Sequence, residues 1–270
     1  MTSPARDPGR PPVSVHDYPW CTEAIPPLHL EAGSYLVRFA TTPEDLDRVL
    51  ELRYRIFNLE LGEGLDASHA SGRDEDDLDA RFHHLMILSR HTSEVVGTYR
   101  MQTGEMAAAG GGWYSEGEFT VGTLPPEVRD RAIEIGRACV AREHRNGRVL
   151  HLLWRGLAEY LTWNRKSVLF GCCSLTSQDP ALGHSVHRHL EALAAVHPDW
   201  RVDPVPDCVC PPDDGPPPAP HVPALFQSYL NLGAKVLGPP AIDRAFKTID
   251  WLVILDVAAF DAATFRAFFR

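Results

Sequence analysis

The stretch Ala132-Ile133-Glu134-Ile135-Gly136-Arg137-Ala138-Cys139-Val140 alternates in the manner of a strand. A basic turn follows, residues 141–147 (AREHRNG), and then an apolar-striped helix over residues 149–163 (VLHLLWRGLAEYLTW). A strand feeding a helix through such a turn aims the helix's free N–H groups back at the turn, which makes an anion site. Nine Lys/Arg stand against four acids between Arg129 and Lys166, in a chain whose formal net charge is −10. A local basic face on an acidic protein points to an anionic partner; a merely solvated charged face is the plainer reading.

Working outward, residues 35–39 (YLVRF) read as a strand, and Thr42-Pro43 opens a helix carrying Leu46, Val49, Leu50, Arg53, Ile56 and Phe57 at helical spacing. Residues 62–81 are a long acidic loop. Residues 84–89 and 94–101 read as paired strands, and residues 107–112 as a small-residue loop. Beyond the central unit come a buried strand at 167–175, a helix at 184–195, a helical turn at 225–232, a strand at 251–257 and a last helix at 261–269. Strands and helices intermixed in this way predict one α/β domain over residues 34–270. Residues 1–33 read as a loose tail, and residues 203–223 as a proline-rich insertion without core residues.

Length and composition bound the function. A chain of 270 residues, 44% hydrophobic, can bury a core without staples. Its acidity makes it a poor general binder of nucleic acid or anionic membrane. No run of 18 apolar residues predicts a membrane span, and the N-terminus carries no apolar signal segment. The six cysteines, two of them adjacent at Cys172-Cys173, follow no zinc spacing; Cys208-Val-Cys210 near His221 reads as a proline-rich loop carrying two thiols. A cytoplasmic protein with reduced thiols and no metal is expected.

The segment 134–140, its basic turn and Leu152-Leu153-Trp154-Arg155-Gly156-Leu157 resemble the donor-binding core of the GCN5-related N-acyltransferases. Within that superfamily the resemblance is to the ornithine-lipid N-acyltransferases, often termed hemolysin-like, and to the related homoserine-lactone autoinducer synthases. It is carried by Arg53-Tyr54-Arg55-Ile56-Phe57 with Leu61-Gly62, and by Asp76-Asp77-Leu78-Asp79 before His84-Leu85. It continues in Gly97-Thr98-Tyr99-Arg100, Tyr114-Ser115-Glu116-Gly117-Glu118-Phe119, and Glu134 with Arg137. Further on it includes Phe170-Gly171-Cys172-Cys173-Ser174, Tyr229–Lys235, Gly238–Asp243 and Phe246 through Asp250. The resemblance implies an α/β fold with a central twisted mixed sheet flanked by helices.

The same resemblance implies the chemistry: a long-chain acyl group, with or without a 3-hydroxyl, moves from acyl carrier protein to an amino-acid α-amine, ornithine first, by direct attack in a ternary complex. No cofactor beyond the acyl-phosphopantetheine co-substrate is implied. The superfamily's coenzyme A turn, Q/R-x-x-G-x-G/A, is not matched by Arg145-Asn146-Gly147-Arg148-Val149-Leu150. This favours a carrier-borne arm with one phosphate. Glu134 would help to deprotonate the amine, or be a strand-end carboxylate paired with Arg137. Arg137 and Arg100 would set the site's electrostatics, or form a buried ion pair. Asp76 and Asp79 would face a cationic acceptor, or be a solvated loop. Arg53 and Phe57 share a helix face, with Phe57 lining an acyl tunnel or packing in the core. Val140, Arg142, Arg145, Gly147 and Arg148 would hold the pantetheine phosphate. His84 would be a second base or a structural histidine, and Ser174 joins the acceptor and acyl pocket. The cysteines read as small buried hydrophobes rather than nucleophiles. Another N-acyl amino acid or an acyl-homoserine lactone is the alternative product. A non-catalytic acyl- or carrier-binding module and an acetyl-CoA enzyme are the other readings. An amphiphilic product would allow loose contact with the inner face of the membrane.

Overall fold

The computed structural model describes residues 18–212 and 218–269. A single sheet of nine strands organises them: β1 (His29–Ala32), β2 (Tyr35–Phe39), β3 (His83–Ser89), β4 (Val95–Thr103), β5 (Ala132–Val140), β6 (Val168–Leu175), β7 (Lys235–Val236), β8 (Ala241–Asp243) and β9 (Thr248–Asp256). The order across the sheet is β1-β2-β3-β4-β5-β6-β9-β7, with β8 also paired to β9. Every neighbour is antiparallel except β5 and β6. That parallel step needs a crossover, and the long helix between them supplies it.

The helices are α1 (Pro43–Tyr54), α2 (Ser68–Ser71), α3 (Gly104–Gly110), α4 (Pro126–Arg129), α5 (Gly147–Trp163), α6 (Pro180–Ala192), α7 (Ala224–Asn231) and α8 (Ala262–Phe269). Thr42 caps α1 by accepting from the Asp45 N–H at 3.2 Å, with Pro43 preset for the first turn. α1 then widens into a π-helical segment, Arg55–Leu61, which Gly62 ends at φ 70°. Asn146 caps α5, its Oδ1 accepting from the N–H groups of Arg148 and Val149. The buried stripe of α5, including Val149, Leu152, Leu153, Leu157 and Tyr160, packs over β2, β3 and β4. α1 covers the other face with Leu46, Val49 and Leu50.

Three expectations are corrected. Residues 1–17 lie outside the described residues, but from Tyr18 the chain is part of the fold rather than a loose tail. Tyr18 is buried and donates to the Ala40 carbonyl, His83 bonds the Trp20 carbonyl, and β1 pairs with β2. These anchors are single side chains and a short hairpin, so they leave no periodicity to read. The small-residue loop is largely α3, capped by Thr103 and ended by Gly111 at φ 104°. The proline-rich segment does contribute to the core: Cys210 is 5% exposed, and Val209 bridges to Ala241.

Candidate active site

β5 and β6 pair only over Ala132–Glu134 and Val168–Phe170, and then part. Just beyond, β5 bulges against β4: Arg137 and Ala138 stand opposite Tyr99 alone, with Arg137 at φ 47°. A cavity of about 280 Å³ occupies the gap. Strand alternation divides its lining. On the α5 side lie Ile135, Leu169, Val253, Leu255, Phe226 and Tyr229, all core residues. On the other side lie Phe57, Tyr114, Arg137, Phe246, Ser174 and Thr176, with the carboxylates of Glu63, Glu118, Asp243 and Asp250. The cavity is therefore apolar at one side of the sheet and acidic at the other.

Burial raises the proton affinity of the acidic side. Glu118 is pushed well above the usual carboxylate range by desolvation and by Asp250 and Asp243. Burial also raises Asp250, although the Thr248 hydroxyl donates to it at 3.0 Å. Glu63 is raised by burial too, against a hydrogen bond donated by Thr176. Among the described residues Arg137 is the one guanidinium lining the cavity, and it lies 4.3 Å from the centre of the Phe246 ring and 4.9 Å from that of Tyr114. It donates to the Tyr114 hydroxyl at 3.0 Å and to Asp76 at 3.3 Å. Cys172 and Cys173 also line the cavity, and burial pushes both thiols up, away from the reactive thiolate.

Of the residues singled out from sequence, Arg137, Phe57 and Ser174 line the cavity. Glu134 does not: it is 2% exposed and its two oxygens accept four hydrogen bonds. The donors are Gln102 at 2.7 Å, the Tyr114 N–H at 2.8 Å, and the Ser115 N–H and hydroxyl at 2.7 and 2.6 Å. This geometry corrects the general-base reading, because no lone pair is left facing a substrate, and makes Glu134 a positioning residue for the Tyr114–Glu118 turn. Glu134→Gln should cost about 2–3 kcal/mol in chemical denaturation, since an amide N–H would confront donors where the carboxylate accepts. A variant as stable as wild type yet inactive would restore the base reading.

The acidic pair is also corrected. Asp79 is buried and accepts from Arg53 at 2.6 Å and Arg100 at 2.9 Å; Asp76 accepts from Arg100 at 2.7 Å. Arg53 further donates to Asp74 at 2.7 Å. Three arginines and three aspartates thus neutralise one another beneath the cavity: Asp79 is shut off from an acceptor, Asp76, with 18% of its side chain exposed, is already paired with Arg100 and Arg137, and Arg53 and Arg100 act through the network. His84 is fully buried, bonded to the Asp79 carbonyl at 3.0 Å and pushed down to about 3 by burial, which leaves it neutral and walled off.

The expected phosphate residues sit at the surface turn between β5 and α5. Arg142, Arg145, Gly147 and Arg148 are exposed; none of them, nor Val140, lines the cavity. Arg145 is paired with Glu60 and donates to the Val140 carbonyl, and Val140 itself lies in the β4–β5 ladder opposite Gly97. Glu63, Glu118, Asp243 and Asp250 carry the site's charge but were not among the expected residues. Asp250 left a signal, an acid inside the apolar run Ile249–Leu255.

The sheet thus splays at its one parallel step, with the cavity between the parted strands. Residues 52–155 match the Acetyltransferase (GNAT) domain family. The L-ornithine N(alpha)-acyltransferase of Brucella abortus (strain 2308) is 33% identical over 245 residues, 83% of this chain and 85% of that protein. The L-ornithine N(alpha)-acyltransferase of Agrobacterium fabrum (strain C58 / ATCC 33970) is 30% identical over 247 residues, 84% and 82% of the two chains. The crystal structure of the AHL synthase LasI superposes at a TM-score of 0.48 and 13% identity, over 87% of this chain and 94% of that one. The chain belongs to the family of the L-ornithine N(alpha)-acyltransferases. Among the described residues no helix is long and apolar enough to cross a membrane.

Proposed function

We propose that the protein joins a long fatty acyl group, with or without a 3-hydroxyl, to the α-amine of ornithine, taking it from the phosphopantetheine thioester of acyl carrier protein. The observation that carries this reading is the two-sided cavity between β5 and β6. An acyl chain suits its apolar side and an amine-rich amino acid its acidic side, so thioester carbon and nitrogen meet between the parted strands. The names of the relatives support ornithine as the acceptor.

In this reaction the amine nitrogen bonds the thioester carbon, the C–S bond breaks, and the amine's surplus proton leaves through a base while the thiol departs. Glu63 suits that base: it lines the cavity, is buried, and has a raised proton affinity. The edge of β5 beyond Glu134, no longer paired with β6, offers backbone to the amides of an extended pantetheine arm. Arg142, Arg145 and Arg148 beside the start of α5 suit its phosphate. The raised Cys172 and Cys173 thiols support direct attack over a cysteinyl intermediate.

The test is a mass-spectrometric product assay offering acyl-carrier and acyl-CoA thioesters against a mixture of amino acids. Acyl-ornithine formed from the carrier thioester is the expected product. Equal turnover of the CoA thioester would remove the carrier from the reading. Acylation of a different amine would replace the acceptor.

A further inference from the structure

We propose that Glu118, Asp243 and Asp250 form a three-oxygen clamp for the second ammonium group of a dibasic acceptor, and so set the enzyme's preference for a diamino acid. The proposal rests on the acyl-transfer reading above and adds the residues that read the acceptor's side chain.

The three carboxylates reach one spot from separate elements. Glu118 follows the turn that Glu134 holds, Asp243 ends β8, and Asp250 lies in β9. Each offers an oxygen within 4.8 Å of the other two. For any three such oxygens some point lies within about 2.8 Å of all of them, which is hydrogen-bond distance. An alkylammonium carries three N–H donors and no acceptor, one for each oxygen. Glu118 and Asp250 are only 6% and 3% exposed, and apart from the hydrogen bond the two acids share, Glu118 Oε2 and Asp250 Oδ1 have no partner among the described residues. Two buried carboxylates that face a cavity and satisfy each other only through one shared proton are better completed by a cation, which gives every oxygen a donor. The cavity's guanidinium, Arg137, is already engaged by Tyr114, Asp74 and Asp76.

Without a cation the cluster keeps a proton: burial raises both Glu118 and Asp250, and the hydrogen bond between them raises Glu118 further and lowers Asp250. An arriving ammonium takes the place of that proton, so binding releases it. An acceptor with an apolar side chain leaves the acids desolvated and unmatched, the kind of mismatch that a polar pocket rejects most strongly.

Two acceptors of equal chain length separate the cases: ornithine, and 2-aminopentanoic acid, which lacks the terminal amine. Calorimetry on the full-length protein is expected to show tight ornithine binding with proton release, read from buffers of different ionisation enthalpy, and much weaker binding of 2-aminopentanoic acid. In Glu118→Gln and Asp243→Asn the ornithine preference, in binding and in kcat/KM, should fall about 100-fold. Their melting temperatures should not drop: in Glu118→Gln an amide replaces an acid that burial already disfavours, and in Asp243→Asn the amide oxygen still accepts from the Ala245 and Phe246 N–H groups. An unchanged preference, or a parallel loss on both acceptors, would overturn the clamp. So would activity abolished by EDTA and restored by Mg²⁺ or Ca²⁺, which would make a divalent cation the occupant. Selective ornithine binding without acylation from any donor would instead sink the acyl-transfer reading and leave the clamp standing.

Discussion

Asp79→Asn lowers the unfolding free energy by about 3–5 kcal/mol, the expected cost of breaking a buried ion cluster from one side. Asp79 is the hub: it accepts from both Arg53 and Arg100, and all three side chains are no more than 1% exposed. Losing its charge leaves Arg53, Arg100 and Arg137 facing only Asp74 and Asp76, an uncompensated cation out of reach of water. For a chain of this size the melting temperature should fall by roughly 10 °C. The contrast is Asp47→Asn, which removes an exposed partner of Arg73 and should cost less than about 1 kcal/mol. Equal effects at both sites would refute the buried-cluster account.

The same residue gives acid stability a sign. The arginines hold the Asp79 carboxyl far below the usual carboxylate range, against the opposing pull of burial. A carboxyl depressed in the folded state contributes stability above its unfolded value near pH 4, and that contribution is lost as pH falls through the folded value. Glu118, Asp250 and Glu63 are raised instead, so their contribution runs the other way and weakens as pH rises from about 4 toward their folded values. Asp79→Asn should therefore flatten the acid limb of a stability-versus-pH curve, and Glu118→Gln the limb toward neutral pH.

The legible parts of the fold were those with long periods. The bounds of β5 and the span of α5 follow from alternation and an apolar stripe, and Thr42-Pro43 marks the start of α1. β7 and β8, of two and three residues, are too short to alternate and exist because β9 offers them an edge. The site was legible in its parts and not in its partnerships. Asp76, Asp79 and Glu118 are all acids in loops; nothing in the chain tells which will meet an arginine. The fold decides it: α1 and the bulge of β5 deliver Arg53 and Arg137 to the aspartates, while β8 and β9 bring only more acid to Glu118. Glu134 misled for a related reason. It stands in a motif that draws the eye, but the Tyr114 and Ser115 backbone that helps to fill its oxygens lies 20 and 19 residues away in sequence.

Gly171→Ala should cut kcat/KM by about 100-fold. A Cβ at Gly171 would lie 2.0 Å from the Ile135 carbonyl oxygen, where real contacts are not closer than 3.0 Å. The obstacle is backbone on a central strand, so it cannot swing aside as a side chain would. β5 and β6 must separate by about 1 Å at the point where their pairing gives way to the cavity. Displacements of that size are enough to lose about two orders of magnitude when two reactants must meet in line. Gly171, Ile135 and Arg137 all line the cavity, so the shift moves the apolar wall and the guanidinium with respect to each other. Gly122→Ala is the control: nothing lies within 4 Å of its Cβ position, and it should change neither rate nor stability by more than the small effect of a stiffer unfolded chain. Stability and activity also separate the two ways Gly171→Ala can act. A melting temperature lowered by a few degrees with activity nearly lost points to the mouth of the splay as the place where the reactants meet. Full activity at any stability would mean that the strands part without consequence, and that the chemistry lies elsewhere than between them.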